Sequence, residues 1–409
     1  MEKLKILEVS DAFYPAVDGV VRVVDNYAVQ LNKIADCTVL APAPSRKSKY
    51  KDEHSYRVVR CYSSAAPEGY RMALPFGFSR LKRLILKENF DIIHIHSPFT
   101  MGKIALRIAK KKNIPVVMTL HTKYKQDFER ELGKKNPLVK FMMWYILNSY
   151  NRADSVWTVS AEAANVLRNY GYNGKIDVVR NATDCVYPDD AESKIQQINV
   201  LHNLEGQKNV FLFVGRMAMY KGLKLLCDAL EIVKERDYDF KMIFVGGGFD
   251  LVKIKKYALQ KGVYDRCIFT DKVLDKSLIQ AYYLRGEALI FPSTFDTSGV
   301  VKVEAAAHKR AAVLIKDSCS AEEVIDDFNG FLCEENEVSL ADRICSLCDN
   351  PEKTKEVGEN AYQSIYKTWE DVSKEVIEKY RVVIDEKKSG LLEVGKSRRK
   401  KLKAVKEEK

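Results

Sequence analysis

Two carboxylates and a glycine mark the stretch best suited to chemistry. In Phe291-Pro-Ser-Thr-Phe-Asp-Thr-Ser-Gly-Val-Val-Lys-Val-Glu304, Asp296 and Glu304 stand eight residues apart with Gly299 between them. The apolar run ending at Phe291 reads as a buried strand, and Pro292-Ser293 as the start of a loop. The run from Val303 to Ala307 reads as the opening of a helix. The loop thus meets a helix amino terminus, where backbone N–H groups lack intrahelical partners and favour anions such as phosphate. Gly299 lets the backbone approach a ligand closely. Carboxylates beside an anion site suit sugar hydroxyls, whose O–H groups donate to them.

Other stretches carry similar chemistry. Phe211-Leu-Phe-Val-Gly-Arg-Met-Ala-Met-Tyr-Lys-Gly222 runs from a strand into a loop bearing two cations, Arg216 and Lys221. Val245-Gly-Gly-Gly-Phe249 follows another strand, without the Gly-x-Gly-x-x-Gly spacing of a dinucleotide fingerprint. Gly19 opens a helix after Tyr14-Pro-Ala-Val-Asp18 and could offer its N–H to a phosphate. Three of the six histidines, His94, His96 and His121, fall at strand ends. They lack the carboxylate–histidine spacing of known metal sites, so no metal is expected. Cys345-Ser-Leu-Cys348 lies in an apparent helix with no second pair, and a metal or redox role is not expected of it.

These residues need rigid elements to hold them, and the chain alternates strands with helices. Expected strands cover residues 4–9, 37–40, 57–60, 90–96, 116–120 and 155–159, with helices between them. A polar linker is expected at 188–197. A second series follows, with strands at 210–214, 241–245, 268–270, 288–291 and 311–315. A last helix is expected over 360–383. Alternation of this kind gives parallel sheets covered by helices.

Composition sets outer bounds. The chain has 409 residues, enough for two or three domains, and its 46% apolar content can build more than one core. No apolar run is long enough to span a bilayer, and the charged amino end does not read as a signal peptide. Nine cysteines then suggest reduced thiols and a cytoplasmic protein. The formal charge is +11, of which the segment from Lys387 to Lys409 supplies +7. The basic balance is a tail, not a nucleic-acid-binding face.

The motifs resemble those of a known family. Asp-x7-Glu after Phe-Pro-Ser is similar to the Glu-x7-Glu signature of retaining family-4 glycosyltransferases with the GT-B fold, with Asp296 in place of the first Glu. The segment around Gly215-Arg216 and Lys221-Gly222 resembles the same family's strand-loop. The resemblance covers residues 4–385 and implies two Rossmann-like parallel-sheet domains facing a cleft. It implies an acceptor-binding domain at 1–190, a nucleotide-sugar-binding domain at 198–365, a helix at 366–385 crossing back to the first domain, and a basic tail at 386–409.

The resemblance also implies roles. Arg216 and Lys221 would stabilise a departing nucleoside diphosphate without a metal, Asp296 would bind sugar hydroxyls, and Glu304 the ribose. The N–H groups of Ser298, Gly299 and Val300, with Gly215 and Gly19, would complete the donor site. His121 would stand near the donor sugar as a hydrogen-bonding group. The implied reaction moves a hexose, with glucose expected, from a UDP-sugar to a hydroxyl with retention and no cofactor. Thr119-Leu-His-Thr-Lys-Tyr124 with Asp127-Phe128 is similar to bacterial diacylglycerol glycosyltransferases, so a membrane lipid or a cell-envelope glycan is the expected acceptor. A nucleotide-sugar epimerase and a degenerate sugar-nucleotide-binding protein remain as alternatives. Ser397-Arg-Arg-Lys-Lys-Leu-Lys403 is expected to make weak contact with anionic lipid at the cytoplasmic face of a membrane.

Overall fold

In a computed structural model, residues 3–45, 47–65, 71–73 and 78–391 are described, with backbone alone for 78–82. The chain forms two compact units, residues 1–181 with 369–409, and residues 182–368.

The first unit starts with β1 (Lys5–Val9), α1 (Gly19–Ile34), β2 (Asp36–Pro42) and β3 (Arg57–Cys61). A small antiparallel hairpin follows, β4 (Ser63–Ala65) and β5 (Arg71–Ala73). Then come α2 (Phe78–Lys87), β6 (Ile92–Ile95), α3 (Thr100–Lys112), β7 (Val116–Leu120), α4 (Tyr124–Leu132), α5 (Pro137–Tyr150), β8 (Ser155–Thr158), α6 (Ala161–Asn169) and β9 (Asp177–Val178). The sheet order is β3-β2-β1-β6-β7-β8-β9, with every pairing parallel. Helices cover both faces of such a sheet, so its strands are apolar throughout, as Ile92-Ile-His-Ile95 is buried at every position.

The second unit holds α7 (Ala191–His202), β10 (Val210–Val214), α8 (Leu223–Glu235), β11 (Lys241–Val245), α9 (Leu251–Gln260), β12 (Cys267–Phe269), α10 (Lys276–Arg285), β13 (Ala288–Phe291), α11 (Val300–Ala307), β14 (Ala311–Ile315), β15 (Phe331–Cys333), α12 (Glu337–Asp349) and α13 (Pro351–Ser364). Its six strands run parallel in the order β12-β11-β10-β13-β14-β15. In both sheets the strand order reverses next to the first strand, at β1/β6 and at β10/β13. In this class of sheet, ligands bind beyond the carboxyl ends of the strands at such a point.

Two expectations are corrected. The stretch read as a linker at 188–197 is largely helix α7, and the second unit begins at Ala182, not at 198. Tertiary packing overrides the polar composition: Ile198 is buried, Lys194 Nζ donates to Ser277 Oγ at 2.6 Å, and His202 bonds Tyr282 Oη at 2.8 Å. The single helix expected over 360–383 is two, α13 and α14 (Trp369–Lys388). The break forms where Thr368 bridges Thr183 and the Lys367 carbonyl accepts from Thr183 N–H. Helix α14 belongs to the first unit, burying Trp369, Val372, Val376, Tyr380 and Val383 along one stripe. The basic stretch 397–403 lies outside the described residues.

Candidate active site

The second unit carries eight of the ten expected site residues. Gly215, Arg216 and Lys221 lie on the loop leaving β10, and Asp296, Ser298 and Gly299 on the loop leaving β13. Val300 begins α11 and Glu304 lies one turn on. The two loops are pressed together at Gly222, which takes φ +74°. A Cβ there would lie 2.3 Å from the Pro292 carbonyl oxygen, so only glycine fits.

Across this contact Lys221 Nζ meets Asp296 Oδ1 at 2.6 Å. Ser293 Oγ donates to Asp296 Oδ2 at 2.5 Å, which fixes the carboxylate. The Lys221 ammonium also stands 5.5 Å from the centre of the Phe291 ring. Thus the expected phosphate-binding cation and the expected sugar-binding carboxylate are partners, both half-buried at the mouth of β10 and β13.

Gly299 caps α11 with φ +55° and no side-chain cap, so the helix presents its first-turn N–H groups as an anion site. A Cβ at Gly299 would lie 2.7 Å from Ser320 Oγ. That hydroxyl is buried without a partner among the described residues. Ser320 thus lies beside the amino terminus of α11. No local pattern in Ser318-Cys-Ser-Ala321 announces this; only the packing of β14 onto α11 reveals it. Glu304 is held by Tyr283, whose hydroxyl donates to Oε2 at 2.7 Å. Tyr283 stacks on His308 with ring centroids 5.1 Å apart, and His308 Nδ1 bonds the Glu304 carbonyl at 2.7 Å. Burial lowers the His308 imidazole to about 4, so it is neutral there.

The first unit holds Gly19 and His121. Gly19 opens α1 with open space around it, and Asp18 caps the helix by accepting from Val21 N–H at 2.8 Å. The Asp18 carboxylate therefore shares the helix terminus that Gly19 was expected to offer to phosphate. His121 is buried just beyond β7, and its Nε2 bonds His96 Nδ1 at 2.9 Å. Burial holds its imidazole well below the ordinary range, and so neutral, as suits a hydrogen-bonding group.

Sequence reasoning missed a pocket of about 330 Å³ at the carboxyl end of β1. It is lined by Asp11, Phe13, Tyr14, Pro44, Ser48 and Arg71 among others. Asp11 Oδ1 accepts the Met101 N–H in the first turn of α3 at 2.9 Å. Its Oδ2 is buried without a partner among the described residues, and burial raises the carboxyl to about 6. The available signal was its place, two residues past a buried strand. The nine cysteines are free thiols, Cys345 and Cys348 included.

The family described as Glycosyltransferase Family 4 matches residues 17–187, and Glycosyl transferases group 1 matches residues 195–364. Over 368 residues the sequence is 27% identical to alpha-monoglucosyldiacylglycerol synthase of Acholeplasma laidlawii, covering 86% of this chain and 90% of that protein. The synthase of the same name from Streptococcus pneumoniae is 24% identical over 306 residues, covering 73% and 68%. Among solved structures, Anabaena Alr3699/HepE in complex with UDP and glucose superimposes with a TM-score of 0.72 at 19% identity, over 92% of this chain and 99% of that one.

Proposed function

This chain belongs to the family-4, group 1 glycosyltransferases and is a hexosyltransferase of GT-B fold, and from that premise we propose that it moves glucose from UDP-glucose to a hydroxyl of a membrane lipid such as diacylglycerol, with retention. The observation that carries the reading is the Lys221–Asp296 pair beside the amino end of α11. A diphosphate needs cations and N–H donors, and a hexose needs a carboxylate acceptor; here the two adjoin. The curated relatives named as glucosyldiacylglycerol synthases and the structure holding UDP and glucose agree with this donor and acceptor class.

In this reading the diphosphate enters against α11 and competes with Asp296 for Lys221. The released carboxylate then takes the sugar hydroxyls, and Lys221 with Arg216 stabilises the charge that builds on the leaving phosphate. Glu304, fixed by Tyr283, takes the ribose hydroxyls. The acceptor hydroxyl attacks on the face the diphosphate leaves, and the departing phosphate oxygen takes its proton. No cofactor or metal is assigned to the step. Asp11, in the pocket beside β1, is suited to accept a hydrogen bond from the acceptor's polyol head.

The acceptor places the reaction at a membrane surface. Among the described residues, no helix is long and apolar enough to cross a bilayer. Helix α5 buries Val139, Met143 and Ile146, yet leaves Phe141 56% and Trp144 61% exposed. Those aromatics, with Lys134, Lys135 and Lys140 near them in sequence, suit the boundary of an anionic membrane. We propose the cytoplasmic face of a membrane as its place of work, with the basic tail as an auxiliary contact.

Labelled UDP-glucose, UDP-galactose and other donors, offered with a membrane lipid extract, test the reading. Label passing from UDP-glucose into the lipid phase with chelator present is the expected result. Conversion of the UDP-sugar to an isomer without acceptor would favour the epimerase instead.

A further inference from the structure

The interior of the first unit contains a carboxyl group and three imidazoles linked in one chain. Glu8 lies mid-strand on β1, opposite His94 on β6 in the parallel register. His96 is two residues on, so it shares the face of His94. His96 Nε2 bonds Glu8 Oε2 at 2.5 Å, and His96 Nδ1 bonds His121 Nε2 at 2.9 Å. On the other side Tyr380 of α14 donates to Glu8 Oε1 at 3.0 Å and meets His94 Nδ1 at 2.6 Å. His94 Nε2 meets Thr119 Oγ1 at 2.7 Å. Glu8, His94 and His96 are wholly inaccessible to solvent. Their ligand atoms lie within 4.8 Å of one another, close enough to surround a cation, but both ring nitrogens of each of the two histidines are engaged as described.

Burial without a compensating charge favours the neutral forms. It raises the Glu8 carboxyl to about 8 and lowers all three imidazoles, His96 to about 3. The other titratable groups facing Glu8 are Tyr27 on α1, Cys37 on β2 and Tyr380 on α14, and burial keeps all three protonated. With Tyr380 donating to Glu8 Oε1, the carboxyl proton sits on Oε2, and the neutral chain then has one consistent proton arrangement. The Glu8 carboxyl donates to His96 Nε2, so His96 carries its proton on Nδ1 and donates to His121 Nε2. His121 then carries its own proton on Nδ1. Loss of one proton reverses every bond: His96 Nε2–H donates to the Glu8 carboxylate, His121 Nε2–H donates to His96, and the proton leaves from His121 Nδ1.

We propose that Glu8, acting through His96, sets the tautomer of His121 and so decides whether its Nδ1 donates or accepts a hydrogen bond. Glu8 and His96 are positioning residues, and the catalytic consequence rests on the reading of His121 as a group that contacts the donor sugar. With Glu8 protonated, Nδ1–H suits a sugar oxygen.

Imidazole ¹⁵N spectroscopy of histidine-labelled protein reads the tautomer directly. His121 is expected as the Nδ1–H form at pH 6.5 and as the Nε2–H form above about pH 9, and as Nδ1–H throughout in Glu8→Gln, whose amide can donate but not ionise. An Nε2–H form of His121 at pH 6.5 would overturn the proposal. In kinetics, wild-type kcat/KM is expected to fall about tenfold per pH unit above the transition. Glu8→Gln should lose that limb, and Glu8→Leu should fall well below Glu8→Gln at neutral pH. If His121→Ala lowers kcat/KM but Glu8→Gln keeps the wild-type profile, the coupling is wrong while the role of His121 stands. If His121→Ala leaves kcat/KM unchanged, the role of His121 fails, and the spectra alone decide the tautomer control.

Discussion

Lys221 and Asp296 hold each other before any donor arrives, and that pairing shapes what their replacement should do. In Lys221→Ala the leaving diphosphate loses a fixed cation. A preorganised charge contact of this kind contributes about 3–4 kcal/mol, so turnover should fall about a hundredfold or more. A folded variant within twofold of the parent enzyme would sink the assignment. Asp296→Asn frees Lys221 of its partner, so UDP should still bind while sugar transfer fails. Glu304→Gln removes a charged acceptor from the ribose and should weaken UDP by about 1.5–3 kcal/mol. Titrating UDP against both variants separates the roles, and equal losses would refute the division. The elements that carry these residues were legible in the sequence: Lys221 and Asp296 follow apolar strand runs, and Glu304 lies in the helix that the second loop opens. Their mutual pairing was not, since 75 residues separate Lys221 from Asp296 and only the β10/β13 adjacency joins them. Glu8 was invisible for a similar reason. A lone carboxylate in an apolar strand carries no local pattern, and its partners come from β6 and α14.

The loops after β10 and β13 can cooperate only because glycine lets them touch. Gly222→Ala would drive a Cβ to 2.3 Å from the Pro292 carbonyl at φ +74°. Gly206 has nearly the same φ, +73°, but nothing within 4 Å. Gly206→Ala should therefore carry only the left-handed backbone cost, about 1–2 kcal/mol. Gly222→Ala should lose more stability than that, and most transfer activity, because the Lys221–Asp296 contact is displaced with the loop. Equal melting temperatures for the two variants would contradict the account. At this scale the sequence reported strands well, since five-residue apolar runs such as Val210–Val214 have few alternatives. It failed where tertiary contacts decide: α7 forms because α10 receives it, and the 365–368 break forms because residue 183 pairs there.

For the whole molecule, the account requires a soluble donor and an insoluble acceptor to meet at a surface. Helix α5 offers Phe141 and Trp144 to solvent, with ring centroids 5.9 Å apart. Replacing both by Ser should reduce sedimentation with anionic liposomes at low salt, and salt should weaken binding of the parent, since at 0.1 M charge attraction is screened beyond about 10 Å. Unchanged sedimentation would remove α5 from the interface. The central claim is retention at the transferred sugar. Proton NMR of the isolated glycolipid made from UDP-glucose tests it most directly, because UDP-glucose is an α-glycoside. The account predicts an α-anomeric signal, with its small coupling to the neighbouring ring proton; a β-anomeric signal with a large coupling would contradict it.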